Sequence, residues 1–426
     1  MSLLSSLYAG ASGLAGNSLE LAVVGDNIAN ANTIGYKAHR AAFEDALAQS
    51  LIGISGQRGM GVQLQSVQRM MTQGAMVGTG GPTDLALQGP GFFIVRGNAN
   101  GREGTFYTRA GQFTLDNEGY LTTGNGLRVQ GFPADAAGNV ERTLGDLRVT
   151  GIASTPRATT EVKLRANLQA DAPILPAFDP NDPSATSNFS TSVTIFDSLG
   201  KAHQMEVFYR KTAEGEWEWH GLVDGASVAG GTPGTPSEVA SGTLSFDTDG
   251  KLADSTYTSS FTPVGGSTQT ISFDLGDPTG AGGAGLSGIT QFASPSAVSF
   301  INQDGYAAGN FASVSIESDG SIVGSFTNGQ SRVIGQVAVA DFAAAEHLER
   351  LGGNLLAASQ ASGEANVGAP TTGGRGTVVS GALEQSNVDL ANEFVRMIAA
   401  QRGFQANSKT LTTADQLLSD LIQLKR

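Results

Sequence analysis

The stretch NIANANTIGYK, residues 27–37, separates two textures in this chain and decides how its start is read. Upstream of it, Leu7, Leu14, Leu21 and Ile28 recur every seven residues, and Leu4, Ala11, Ser18 and Gly25 form a companion line. This a/d spacing predicts a helix with a seam for a partner, about 40 Å long. Asn and Gly tolerate left-handed and turn conformations, so NANTIG stops the helix and turns the chain. Lys37 is the first basic residue, and it opens a more polar segment that reaches to about Thr72.

The other end of the chain answers this pattern. Leu383, Leu390, Met397, Phe404, Leu411 and Leu418 again recur every seven residues. Their companion line, Asn387, Phe394, Gln401, Ser408, Asp415 and Ile422, is half polar. A helix of about 60 Å is expected from near Gly381 to the end. One such helix reads as an ordinary amphipathic element; two at opposite ends of a β-rich chain read as a terminal coiled coil. Gly10, Gly13, Gly16 and Gly25 each cost the first helix about 1 kcal/mol relative to Ala. Alone it is a poor helix, so its stability is expected from neighbours.

Between the ends the periodicity drops to two. DLALQGPGFFIV (84–95), GTFYTRAGQFTLD (104–116), GYLTTG and LRVQGF alternate apolar and polar residues between Gly-rich turns, as an antiparallel meander does. After a Pro- and Asp-rich link at 171–187, STSVTIFDSLG, AHQMEVFYRK and GEWEWHGLVDG read as three strands joined by tight turns. A third β stretch covers 311–342, and 343–380 is loop-rich. Residues 151–298 hold 16 acidic and 7 basic side chains, a net of −9 out of the chain's −14, which suggests a solvent-facing domain. FTLDNEGYL, LSFDTDGKL and VSIESDGSI are read as hairpin turns. They are too short for EF-hand calcium loops and lack the late Glu.

With 426 residues the chain is long for one domain. The organisation expected is a mainly β multi-domain subunit. Residues 1–30 and 383–426 form a terminal helical coiled-coil domain, and 31–75 connect it. Residues 76–151 and 299–380 form one β domain, into which 152–298 are inserted as another.

Catalytic chemistry finds no foothold. There is no Cys, hence no disulfide framework and no thiol nucleophile. His39, His203, His220 and His347 do not pair at metal-ligand spacing; His220, beside Trp217 and Trp219, reads as a surface or edge residue. No GxSxG, P-loop or dinucleotide fingerprint occurs. No catalytic residue, metal or cofactor is assigned, and the chain reads as no enzyme. No basic patch suggests nucleic acid, and no run of about 18 apolar residues suggests membrane insertion. The N-terminus lacks the basic n-region of a Sec signal, leaving a cytoplasmic protein or one exported without cleavage of this segment.

Several motifs in order resemble the bacterial flagellar axial rod and hook family. They are Asp26-Asn27-Ile28-Ala29-Asn30, Thr33 and Gly35-Tyr36-Lys37; Gln88-Gly89-Pro90-Gly91-Phe92-Phe93; Tyr107-Thr108-Arg109-Ala110-Gly111 leading to Phe113; and 381–418. Asp26 stands where the family usually has Asn. The resemblance covers about 1–165 and 295–426. Length, the insert and FINQDGYAAGNF (300–311) point to the hook branch; a distal rod protein is the alternative, and a secreted β-rich adhesin a remoter one. The resemblance implies terminal helices lining a central channel, with two β domains outward. It implies a self-assembling helical homopolymer, a curved tubular joint that carries motor torque to the filament and is required for motility. It further implies an extracellular place in the flagellar hook and basal body, export through the flagellar type III apparatus, and contacts with distal rod, hook cap and hook–filament junction proteins. The two heptad lines are the expected self-assembly residues.

Overall fold

The computed structural model describes residues 3–47 and 59–423. It forms two compact units, one of residues 1–151, 312–325 and 331–426, the other of 152–311 and 326–330.

In the first unit the N-terminal helix runs Leu3–Ala29. It ends because Asn30 turns back on it, its side-chain amide donating to the Asp26 carbonyl at 2.9 Å. That bond satisfies one of the carbonyls a helix end leaves open. The segment after it, expected only to be polar, is an antiparallel hairpin of His39–Leu47 and Gly59–Arg69. Its apolar residues Phe43, Val62, Leu64 and Val67 stay exposed, so the sequence lacks the buried alternation that betrays a strand. The helix lies along this hairpin, where Val62 N donates to Ser12 Oγ at 3.2 Å.

The β core of this unit centres on strand Phe92–Ala99, flanked by Arg102–Thr108 and Arg128–Pro133. Phe92, Ile94, Tyr107, Ala340, Phe342 and Leu348 pack together in its core, and Tyr107 meets Phe342 edge-on at 4.8 Å. Residues 343–380 carry short strands as well as loops, among them the hairpin Glu349–Gly352 with Leu355–Ala357.

The C-terminal helix spans Leu390–Gln423; it starts at Leu390 and not at 383 as expected, and 424–426 lie outside the described residues. Ala382–Glu384 is a short strand paired with Met76–Gly78, and Leu383 is buried there. Glu384 and Asn387 bond to the N-terminal segment, which holds 382–387 extended. The helix starts where Asp389 caps it, its Oδ1 accepting from Ala391 N at 2.9 Å, as an acidic N-cap does.

The second unit has two sheets around one core. Phe189–Phe196, Ala202–Ala213, Glu216–Asp224, Pro236–Phe246 and Leu252–Ser259 form a five-stranded antiparallel meander in chain order. The other sheet centres on Glu161–Gln169, in which Val162, Leu164, Ala166 and Leu168 are buried and their neighbours are not. That is period-2 burial. Trp217, Trp219 and Tyr209 fill the shared core. Strand Ala297–Gln303 pairs with Glu161–Gln169, so the boundary expected at 298/299 falls inside a strand, and this segment belongs with 152–311. His220 is on the middle strand of the meander, half-buried and stacked on Phe178 at 4.0 Å, not on an edge.

A single turn chemistry recurs at Asp116, Asp135, Asp197 and Asp247. In each, the carboxylate accepts from the backbone N–H two and four residues on. The glycine three residues on takes positive φ. Asp116 of FTLDNEGYL and Asp247 of LSFDTDGKL are thereby used in closing hairpins.

Candidate functional site

The opening motif converges on one buried carboxylate. Lys37 Nζ lies 2.6 Å from Glu384 Oε1 and Arg109 Nη1 lies 3.2 Å from Oε2, and all three side chains are buried. Gly74 N adds a third donor to Oε1 at 3.0 Å. The cations also donate to carbonyls, Lys37 to Thr72 O and Arg109 to Leu87 O and Gly89 O, while Arg109 Nε has no partner. Burial pushes the Lys37 ammonium down, and its bond to Glu384 pulls the other way. Burial likewise lowers Arg109, against the opposing pull of Glu384. A buried ion held this way is costly to break, because one missing partner strands the others.

A second knot fixes the end of the N-terminal helix. Asn27 is fully buried. Its Nδ2 donates to His39 O at 2.8 Å and to Glu393 Oε2 at 3.2 Å, while its Oδ1 accepts from His39 N at 2.8 Å. Tyr36 OH donates to Asp26 Oδ2 at 3.1 Å and lies 3.2 Å from His39 Nδ1. Burial, then the Asp26 carboxylate, raise the Tyr36 hydroxyl. Asn387 completes the tie, accepting from Ala38 N at 2.7 Å and donating to Met70 O at 2.9 Å. Gly35 has φ of +69°, and a Cβ there would sit 2.6 Å from Ala110 N, so only glycine fits. Thr33 Oγ1 bonds Asn30 Oδ1, whereas Ala29 is exposed. One motif thus joins the first helix, the hairpin, the β core and the segment before the last helix.

The two long helices pack antiparallel through small and polar residues. A Cβ on Gly13 would lie 2.5 Å from Asn407 Nδ2, and one on Gly403 would lie 2.7 Å from Asn17 Oδ1. Among the described side chains of the C-terminal helix, Glu393, Ala400 and Ala414 are buried. The expected heptad line divides. Met397 and Leu411 are half-buried, as are Leu7, Leu14, Leu21 and Ile28 in the first helix. Leu390, Phe394 and Phe404 are exposed, together with Val395 and Ile398; Phe394 is 50% and Val395 66% accessible. Leu4, Leu418 and Ile422 lie within the helices, but their side chains fall outside the described part. The residues that face the other helix thus lie largely one position off the apolar line. Glycine, alanine and asparagine permit the close approach, and the large apolar side chains are left outside.

Sequence reasoning named Asn27, Tyr36 and Lys37 but not Glu393, Glu384 or His39 as their partners. Glu384 and Arg109 sit inside the quoted motifs, yet the Lys37–Glu384 pairing spans 347 positions, and nothing local announces it. Among the described residues no group of three or more His, Asp or Glu is placed to hold a metal, and no helix is long and apolar enough to cross a membrane.

Comparisons with known proteins agree along the chain. Family models match as a flagella basal body rod protein over 7–37, a flagellar hook protein FlgE/F/G D1 domain over 86–167, a flagellar basal body protein FlaE D2 domain over 163–306, and a flagellar basal body rod FlgEFG protein C-terminal region over 379–424. The flagellar hook protein FlgE of Treponema pallidum is 35% identical, with 99% of each chain covered. That of Escherichia coli is 34% identical, covering 97% of this chain and 98% of the other. The Brucella suis protein is 31% identical over the whole of both. A crystal structure of Helicobacter pylori flagellar hook protein FlgE2 shares the fold, with a TM-score of 0.51 at 17% identity over 72% of this chain and all of that one. Full-length similarity to hook proteins, together with helices from the two ends packed on each other beside β domains, shows that this chain belongs to the bacterial flagellar hook protein family.

Proposed function

We propose that this hook-family protein works by polymerising into a curved tube that transmits torque from rod to filament. Its terminal helices would form the inner layer, and its two β regions, expected as 76–151 with 299–380 and as 152–298 but with the strand Ala297–Gln303 belonging to the second, would lie outward. The observation that carries this reading is the uncovered apolar face of the C-terminal helix, Leu390, Phe394, Val395, Ile398 and Phe404. A face of this size on a soluble monomer marks an interaction surface, and identical copies are the partner that heptad spacing suits. On this reading the heptad residues of both helices are assembly contacts. The distal rod, hook cap and hook–filament junction proteins are neighbours, and the chain passes through the flagellar type III export apparatus to a place outside the cell. Its role is mechanical rather than enzymatic. Negative-stain microscopy of purified protein after salt-induced polymerisation tests the proposal. Tubes of uniform diameter are expected; amorphous aggregate, or a protein that stays monomeric, contradicts it.

A further inference from the structure

Beside the knot around Tyr36 lies a cavity of about 130 Å³, lined by Lys37, His39, Arg69, Arg109 and Arg350 with Tyr36, Phe92 and the 352–356 turn. No carboxylate lines it. The volume suits several waters or one small polyatomic ion. Three of its lining residues, each more than nine-tenths buried, carry a nitrogen with no hydrogen-bond partner: Arg69 Nη1, Arg109 Nε and His39 Nε2. Arg69 uses its other terminal nitrogen on Leu348 O at 3.1 Å. Arg350 reaches Asp26 at 3.2 Å and lies over the Tyr36 ring.

The charges do not balance locally. Lys37, Arg69, Arg109 and Arg350 bring four positive charges, and the carboxylates bonded to them are two, Glu384 and Asp26. Asp341 acts on Arg109 only at longer range. Burial, Arg350 and then Arg69 push His39 down to about 4, and burial followed by Arg350 lowers Arg69. Buried donors without acceptors are costly, and clustered guanidinium groups match a planar or tetrahedral oxyanion.

We propose that this cavity is a binding site for a small inorganic oxyanion of the phosphate or sulfate class, held by Arg69, Arg109 and Arg350. The ion would fasten the hairpin that carries Arg350, whose neighbour Asn354 already donates to Ile34 O at 2.9 Å, to the motif segment and to the strand that carries Arg69. It would thereby stiffen the junction between the terminal helices and the β core.

The test is calorimetric titration of the full chain with inorganic phosphate, and separately with sulfate, in chloride buffer held at constant ionic strength. One saturable site per chain is expected, with a melting temperature that climbs with ligand concentration. Arg350→Gln, at a half-exposed side chain, should weaken binding about tenfold or more, as removal of a charge-assisted bond does. Arg157→Gln, on an exposed ion pair in the other unit, should bind as the parent does. Absence of saturable binding, unchanged affinity in Arg350→Gln, or equal loss in Arg157→Gln would each overturn the site.

Discussion

The second unit and the terminal helices solve the same problem in opposite ways. The second unit closes its own core: Trp217, Trp219 and Tyr209 are fully buried, and Glu161–Gln169 hides every other side chain. The helices hide alanine, glycine, asparagine and glutamate between them and leave Phe394, Val395 and Ile398 in water. A buried Leu or Phe contributes about 1.5–3 kcal/mol, so the C-terminal helix forgoes within one subunit the stabilisation its exposed apolar residues carry. The difference teaches where folding ends and assembly begins. A region whose apolar residues are spent internally is a finished body; one whose apolar residues face outward depends on another copy.

The sharpest way to break this comparison is at the tie that anchors the helices to the finished part. Glu384→Ala leaves Lys37 and Arg109 buried without their counter-ion, and should cost about 3–5 kcal/mol. Denaturant unfolding should show the loss in the first unit, with the second unit's transition unmoved. Trp219→Ala is the converse experiment. It removes a ring packed 4.7 Å from Phe273 and should cost the second unit about 3–5 kcal/mol, while the near-ultraviolet signal of the first unit persists.

Acid should separate the two units by a smaller margin. His39 is neutral in the folded chain, its pKa pushed from 6.5 down to about 4 by burial first and then by Arg350 and Arg69. The unfolded chain takes the proton sooner. This contribution to the first unit is complete above about pH 6.5 and is lost as pH falls toward 4. In the second unit burial raises Asp197, but its bonds from His203, Lys201 N and Leu199 N outweigh that and hold it below the usual carboxylate value. Its contribution is complete above about pH 4 and is lost only at more acid pH. Thermal scans across pH 7–3 should therefore show the first unit weakening earlier, and His39→Gln should flatten that early loss. Simultaneous weakening of both units would remove the distinction.

The smallest effect on the monomer should accompany the largest effect on assembly. Phe394→Asp changes an exposed side chain and should alter monomer stability by about 0.5 kcal/mol or less, yet sedimentation should show no polymer. If Phe394→Asp assembles normally, the exposed face is not the contact.

The sequence announced whatever depends on local spacing. Leu7, Leu14, Leu21 and Ile28 marked the first helix, and GEWEWHGLVDG was legible as a strand. It did not announce what depends on distant partners. Leu383 carries the heptad on paper, but Glu384 and Asn387 are bound to Lys37, Ala38 and Thr72, and the helix waits for Asp389. The hairpin at 39–69 was hidden because its apolar residues are exposed and its pattern therefore looks polar. The face that the two helices bury between them left no such signal: Ala400, Asn407 and Gly403 are silent in a hydrophobic pattern. The motif residues Asn27, Tyr36 and Lys37 were legible as a unit, but their chemistry became visible only once Glu384 and His39 stood beside them.

Hydrogen exchange, read on the terminal helices in verified monomer and again in polymer, tests the division between finished and unfinished regions most directly. Amides within Leu3–Ala29 and Leu390–Gln423 should exchange rapidly in the monomer and become protected in the polymer, while those of Ala202–Ala213 and Glu216–Asp224 stay protected in both. Strong protection of both terminal helices in the monomer would contradict the account, since the thin seam of glycine, alanine and asparagine would then suffice by itself.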